Sequence, residues 1–138
     1  MRITFYGGSD TVAIRFGTTA TTVDSGNNYN YRWATQAAAG TTFANRDSTA
    51  DSNNSLIKMA AQDTTLSREI NFSISNTLNK TKQVTMQAAT ETAGVSTLPS
   101  LDIGQGQWFN TTAQITSFQV FPAGGNTFGG SIAIYGSK

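Results

Sequence analysis

Cysteine and histidine are both absent from this chain of 138 residues. Without cysteine there is no disulfide and no thiolate site, whatever the compartment. Without histidine the commonest general base is missing, and with both gone so are the commonest transition-metal ligands. A Ser-His-Asp triad is excluded, and a Ser-Lys dyad would have to draw on Lys58, Lys80, Lys82 or Lys138, none of which sits in a recognisable motif. Charge is scarce as well: 12% of residues are charged, and the net charge is +1. That balance implies neither nucleic acid nor an anionic membrane surface as a partner. No apolar run approaches the roughly 20 residues of a membrane-spanning helix. The start, Met1-Arg2-Ile3-Thr4, lacks the apolar core of a signal peptide, so the chain is expected to be soluble as made.

What is present is a polar mass of Thr, Ser, Asn, Gln and Gly around 38% hydrophobic and 10% aromatic residues. That composition suits strands with a Thr-rich solvent face joined by Gly/Asn turns, and the apolar share argues against disorder. The length is that of one domain, 1–138, able to bury a core of its own.

Alternation of apolar and polar residues marks the strands. Residues 2–6 place Ile3 and Phe5 on one face, and residues 11–16 turn Val12, Ile14 and Phe16 inward with Ala13 and Arg15 outward. The Gly7-Gly8-Ser9-Asp10 turn between them predicts a hairpin. Residues 29–36 gather Tyr29, Tyr31 and Trp33 on one face, as expected of a central strand packed on an opposite sheet. Ala37-Ala38-Ala39-Gly40 has room for one helical turn, and residues 41–54 read as a polar loop anchored by Phe43. Residues 55–62, with Leu56, Ile57 and Met59, fit a strand or a short helix. A second hairpin pairs residues 69–75, with Ile70, Phe72 and Ile74 inward, with residues 82–88, with Val84, Met86 and Ala88 inward. Residues 101–109 lead into two closing arms, 114–121 and 131–136, separated by Pro122 and four glycines. The arms are expected to pair or lie close, with Ile132 and Ile134 on one face, Ser131, Ala133 and Tyr135 on the other, and Phe128 as a plug beneath the loop. About eight or nine closely spaced strands with almost no helix predict an all-β fold, an antiparallel double-sheet β-sandwich of jelly-roll-like kind.

The residues that chemistry might use are few. Most of the acidic side chains, Asp10, Asp24, Asp47, Asp51, Asp63, Glu69, Glu91 and Asp102, fall in turns where Asp bonds the backbone, so a carboxylate pair for glycoside cleavage is not expected. Asp47 and Asp51, with Asn53 and Asn54, make an oxygen-rich loop, but it lacks the closing Glu of a specified calcium loop and reads as exposed polar chain. Tyr29, Tyr31, Trp33 and Trp108 are a candidate sugar-stacking platform, against which the alternation around Trp33 favours core packing. Trp108, flanked by Gly106-Gln107 and by Asn110, is the better candidate for a surface contact. The expected contact set is therefore Trp108, Asn110, Phe128, Asp47 and Asp51, with no catalytic residue, no metal and no cofactor.

The closing stretch also carries a resemblance. Ile115-Thr116-Ser117-Phe118, the turn Gly125-Asn126-Thr127-Phe128 and the ending Gly130-Ser131-Ile132-Ala133-Ile134-Tyr135-Gly136 resemble the closing strands of virion-surface domains of tailed bacteriophages. Arg2-Ile3-Thr4-Phe5, Val12-Ala13-Ile14-Arg15-Phe16-Gly17, Gly26-Asn27-Asn28-Tyr29 and Arg68-Glu69-Ile70-Asn71-Phe72-Ser73-Ile74 follow the same plan, so the likeness spans nearly the whole chain. Met1 stands directly before Arg2-Ile3 where that pattern has a few more residues, which fits a short first strand or a domain cut from a longer protein. The resemblance implies a non-enzymatic structural protein of the virion, made in the host cytoplasm without a signal peptide and released by lysis. It implies a homo-oligomer, commonly a trimer, in contact with other virion proteins. The first reading is a tail-fibre or receptor-binding module whose loops (residues 18–28, 40–54, 89–100 and 122–130) meet a host cell-surface glycan or protein. The alternative is a capsid-decoration protein that clamps shell subunits. A carbohydrate-binding module or a depolymerase ranks below both.

Overall fold

The computed structural model describes residues 2–6, 11–36, 44–46, 55–61, 68–90, 99–125, 127 and 129–136. Among them are ten strands and no helix: β1 (Arg2–Tyr6), β2 (Thr11–Gly17), β3 (Tyr29–Gln36), β4 (Ala44–Arg46), β5 (Ile57–Ala61), β6 (Arg68–Ser75), β7 (Lys82–Thr90), β8 (Leu101–Trp108), β9 (Ser117–Pro122) and β10 (Gly129–Ala133). They form two antiparallel sheets, one of seven strands in the order β10-β1-β6-β7-β8-β3-β4 and one of three in the order β5-β2-β9. The two sheets share one core, which makes the fold the expected β-sandwich, divided unevenly.

That core follows from the alternation. Val12, Ile14 and Phe16 of β2 and Ile57 of β5 meet Tyr29, Tyr31 and Trp33 of β3, Ile70 and Phe72 of β6, Val84, Met86 and Ala88 of β7, and Trp108 of β8. Phe118 and Val120 of β9 pack against the cluster from the edge of the small sheet. Each fully buried aromatic or aliphatic side chain contributes about 1.5–3 kcal/mol of transfer free energy, which makes this layer the main source of stability. Two glycines of β8 leave room on the inner face, Gly106 for the opposite sheet and Gly104 for side chains of its own neighbours. A Cβ at Gly106 would stand 2.7 Å from Ile57 Cγ2, and one at Gly104 would stand 2.6 Å from Met86 Cε and 2.8 Å from Trp33 Cβ. Here β8 carries no side chain so that its neighbours can close over it.

The β6–β7 hairpin forms as expected, from Arg68↔Thr90 to Ser75↔Gln83. Its turn uses Asn79 at φ 59°, a left-handed conformation that Asn tolerates. Lys82 is fully buried, yet its ammonium donates to the carbonyls of Thr77 (2.7 Å) and Lys80 (2.9 Å), so the charge staples the same turn.

Other expectations are corrected. The β1–β2 hairpin does not form: β1 lies between β10 and β6 in the large sheet, and β2 lies between β5 and β9 in the small one. The closing arms do not pair either, since β9 joins β2 and β10 joins β1. Both connections carry the chain from one sheet to the other. Of the stretch read as a strand or a short helix, residues 57–61 form a strand, β5. The stretch read as a polar loop contains the short strand β4, paired with Trp33, Ala34 and Thr35. Ala13 is fully buried rather than outward, with Phe121 opposite it and the Arg15 guanidinium 4.6 Å over the Phe121 ring. Ile132 and Ile134 are 49% and 64% exposed, because β10 is the edge strand of the large sheet. The expected helical turn at residues 37–40, and Phe43, lie outside the described residues.

Candidate functional site: the open face of the seven-stranded sheet

The strands that supply the core show their alternate side chains to solvent. Register aligns these into rows that cross the sheet. One row runs Arg32↔Gln105↔Thr85↔Ser73, and the next runs Ala34↔Ile103↔Gln87↔Asn71. Between the rows the residues Trp33, Gly104, Met86 and Phe72 line the floor of a groove of about 800 Å³, and Tyr135 stands at its β6 side. Tyr135 comes from beyond the end of β10 and is 73% exposed, so its ring is open to a ligand.

Most of the lining surface is apolar, and the polar groups set into it include no carboxylate: amides from Asn71, Gln87 and Gln105, hydroxyls from Ser73 and Thr85, and the Arg32 guanidinium. Ile103 and the Tyr135 ring supply apolar surface. Neighbours orient the amides. Glu69 accepts from Asn71 Nδ2 at 3.0 Å, and in the adjoining row Asn30 Nδ2 donates to Gln107 Oε1 at 3.3 Å. Each amide offers both a donor and an acceptor, and each hydroxyl does the same. Such a surface can hold a polyhydroxylated or peptide-like ligand. No lining side chain is a carboxylic acid, an imidazole or a thiol, the groups most used for proton transfer near neutral pH.

The sequence-predicted contact residues fall elsewhere. Trp108 is corrected from surface contact to core: it is 1% exposed, 5.9 Å from the Phe16 ring and stacked at 6.2 Å on Tyr29. Its indole N–H donates to Asp24 Oδ2 at 2.8 Å, which satisfies the buried polar edge of the ring. Tyr29, Tyr31 and Trp33 are buried with it, so the four aromatics form no external platform. Asn110 is partly buried, and its Oδ1 accepts from the backbone N–H groups of Thr112 and Ala113, both at 3.1 Å, as an ordinary turn residue. Phe128, Asp47 and Asp51 lie outside the described residues.

Around Trp108 the 18–28 loop is held firmly. Asp24 takes the indole N–H, the Asn28 side-chain amide at 2.9 Å and the Gly26 N–H at 2.8 Å. Burial raises the Asp24 pKa, but these three donors, led by the Trp108 indole, outweigh it and leave the carboxyl below its ordinary 3.8. The Tyr29 hydroxyl donates to the Asp24 carbonyl at 2.8 Å and accepts from the Phe16 N–H at 3.1 Å. Burial pushes this phenol up to about 12.

At the other end of the core, Asp102 is buried, accepts from Arg68 Nη1 at 2.5 Å and is also bonded by the Thr35 hydroxyl. That pair faces the inside of the sandwich and takes no part in the groove. Among the described residues no three His, Cys, Asp or Glu side chains gather into a metal cluster.

Sequence reasoning placed the lining side chains of β6 on the polar outer face without distinguishing them from any solvated row. Alternation also puts Tyr135 on the face opposite Ile132 and Ile134, and Arg32 on the face opposite Tyr31 and Trp33, both toward the groove. Comparison of the chain with family models, with curated proteins and with solved structures finds no match.

Proposed function

We propose that this chain is a non-enzymatic module of a tailed-bacteriophage particle, displayed on the virion surface as a tail-fibre or receptor-binding domain. The observation that carries the reading is the groove. An open concavity on a rigid sheet, lined by convergent amide, hydroxyl, guanidinium and phenol groups, is suited to holding a ligand from outside. The motif resemblance supplies the setting.

A second reading, capsid decoration, is favoured by a different observation. β10 is an edge strand of the large sheet, and Ile132 and Ile134 beside that edge are exposed. An edge with exposed apolar side chains, unpaired among the described residues, suits burial against another subunit, either within a homotrimer or on a shell.

Immunogold electron microscopy of purified phage particles with antibodies to this chain separates the readings. Gold at the tail tips is the expected outcome. Gold over the head would replace receptor binding by decoration, and particles without gold would remove the virion assignment.

A further inference from the structure

We infer that the groove on the open face of the seven-stranded sheet binds an uncharged oligosaccharide lying across strands β3, β8, β7 and β6, with Tyr135 stacked on one sugar ring. The inference rests on the receptor-facing reading and names its ligand class.

The chemistry of the lining selects this occupant over others. A peptide adding itself as a strand needs a free edge, but the groove lies over β8, β7 and β6, each already paired on both sides. A nucleic acid needs several phosphate contacts, and Arg32 is the one cation among the lining residues. A lipid chain or greasy helix needs a continuous apolar wall, and here Ile103 and the Tyr135 ring are separated by a row of amides and hydroxyls.

A sugar matches both parts of this surface. Its hydroxyls donate and accept at once, as do Gln105, Thr85, Gln87 and Asn71, so each contact can be satisfied without a formal charge. Its C–H faces are apolar and flat enough to lie on an aromatic ring, and the Tyr135 ring is free to receive one. Size agrees as well. Four strands at about 4.8 Å spacing span roughly 14 Å, long enough for a few linked rings rather than a single one. The polar groups are also positioned in advance: they stand on paired strands, and Asn71 is held by Glu69, so little ordering is required on binding.

The test is an array of defined hexose, deoxyhexose and N-acetylhexosamine oligosaccharides, probed with the wild-type protein and with Tyr135→Ala, Gln105→Ala and Asn27→Ala. Tyr135, Gln105 and Asn27 are all exposed, and matching thermal melts verify that each variant folds. The expected result is a glycan bound by the wild type and by Asn27→Ala, with affinity lowered about tenfold or more in Tyr135→Ala and Gln105→Ala. Binding that survives both groove variants but falls with Asn27→Ala would overturn the groove and move recognition to the loop, leaving the receptor-facing reading intact. No binding to any glycan overturns the inference, while immunogold still decides separately whether the chain is on the virion.

Discussion

Strands β3, β6, β7 and β8 show one face to the three-stranded sheet and the other to water, and the two faces use their side chains in opposite ways. On the inner face, Trp33, Phe72, Met86 and Trp108 are buried; Asp102 is bonded by Arg68 and Thr35 and the Trp108 indole by Asp24, whereas the buried Trp33 indole N–H has no hydrogen-bond partner among the described residues. On the outer face, Gln105, Thr85, Asn71 and Ser73 stand exposed in aligned rows beside Tyr135. Residues adjacent in sequence thus serve stability and recognition in turn. The lesson is that a change on one face should be nearly silent on the other.

The strongest break of that contrast is Trp108→Ala. It removes a ring packed on Phe16 and Tyr29 and one of the three donors to the Asp24 carboxylate, and is expected to cost about 4 kcal/mol in chemical denaturation. A cost near zero would return Trp108 to the surface. Asp102→Ala removes the carboxylate that the buried Arg68 bonds and should cost about 3 kcal/mol by the same measurement. Gly106→Val drives a side chain into Ile57 and should cost about 2 kcal/mol, partly recovered by Ile57→Ala. Failure of that recovery in a double-mutant cycle would mean that the sheets do not meet there.

Tyr29→Phe is a smaller step, about 1 kcal/mol, for the loss of the bonds to Asp24 and Phe16. It carries a sharper signature in pH. Because the folded phenol titrates near 12, above its ordinary 10.0, the folded state keeps a proton that the unfolded state has lost. Wild-type stability should therefore fall as pH rises from about 10 to about 12, and that fall should vanish in Tyr29→Phe. Asp24 gives the acid counterpart. Its lowered pKa contributes stability above the ordinary value, and that contribution is lost as pH drops below 3.8 through the folded value. The smallest effect belongs to the outer face. Gln105→Ala should change stability by less than about 0.5 kcal/mol while weakening glycan binding, which thermal melts and the array read separately.

Much of this architecture is legible in the order of residues. The spacing of Ile70, Phe72 and Ile74 against Val84, Met86 and Ala88 specifies a hairpin and its inner face, because a strand's period of two is a local property and the turn between the arms is short. The same logic misled at Gly7-Gly8-Ser9-Asp10 and at residues 122–128. A short Gly-rich link reads as a hairpin whether the chain folds back or steps to the other sheet. Trp108 misled for a related reason: its polar flanks implied exposure, while its cover comes from Phe16 and Tyr29, distant in sequence.

What the sequence by itself determined is that this chain is all-β, which residues alternate inward along most of its strands, and that neither cysteine nor histidine chemistry is available to it. Those follow from composition and from contacts a few residues apart. The tertiary structure decided which strands share a sheet, which aromatics have cover, and that Arg32, Gln105, Thr85 and Ser73 fall into one row beside Tyr135. That row is assembled by pairing between segments tens of residues apart, so no local pattern announces it.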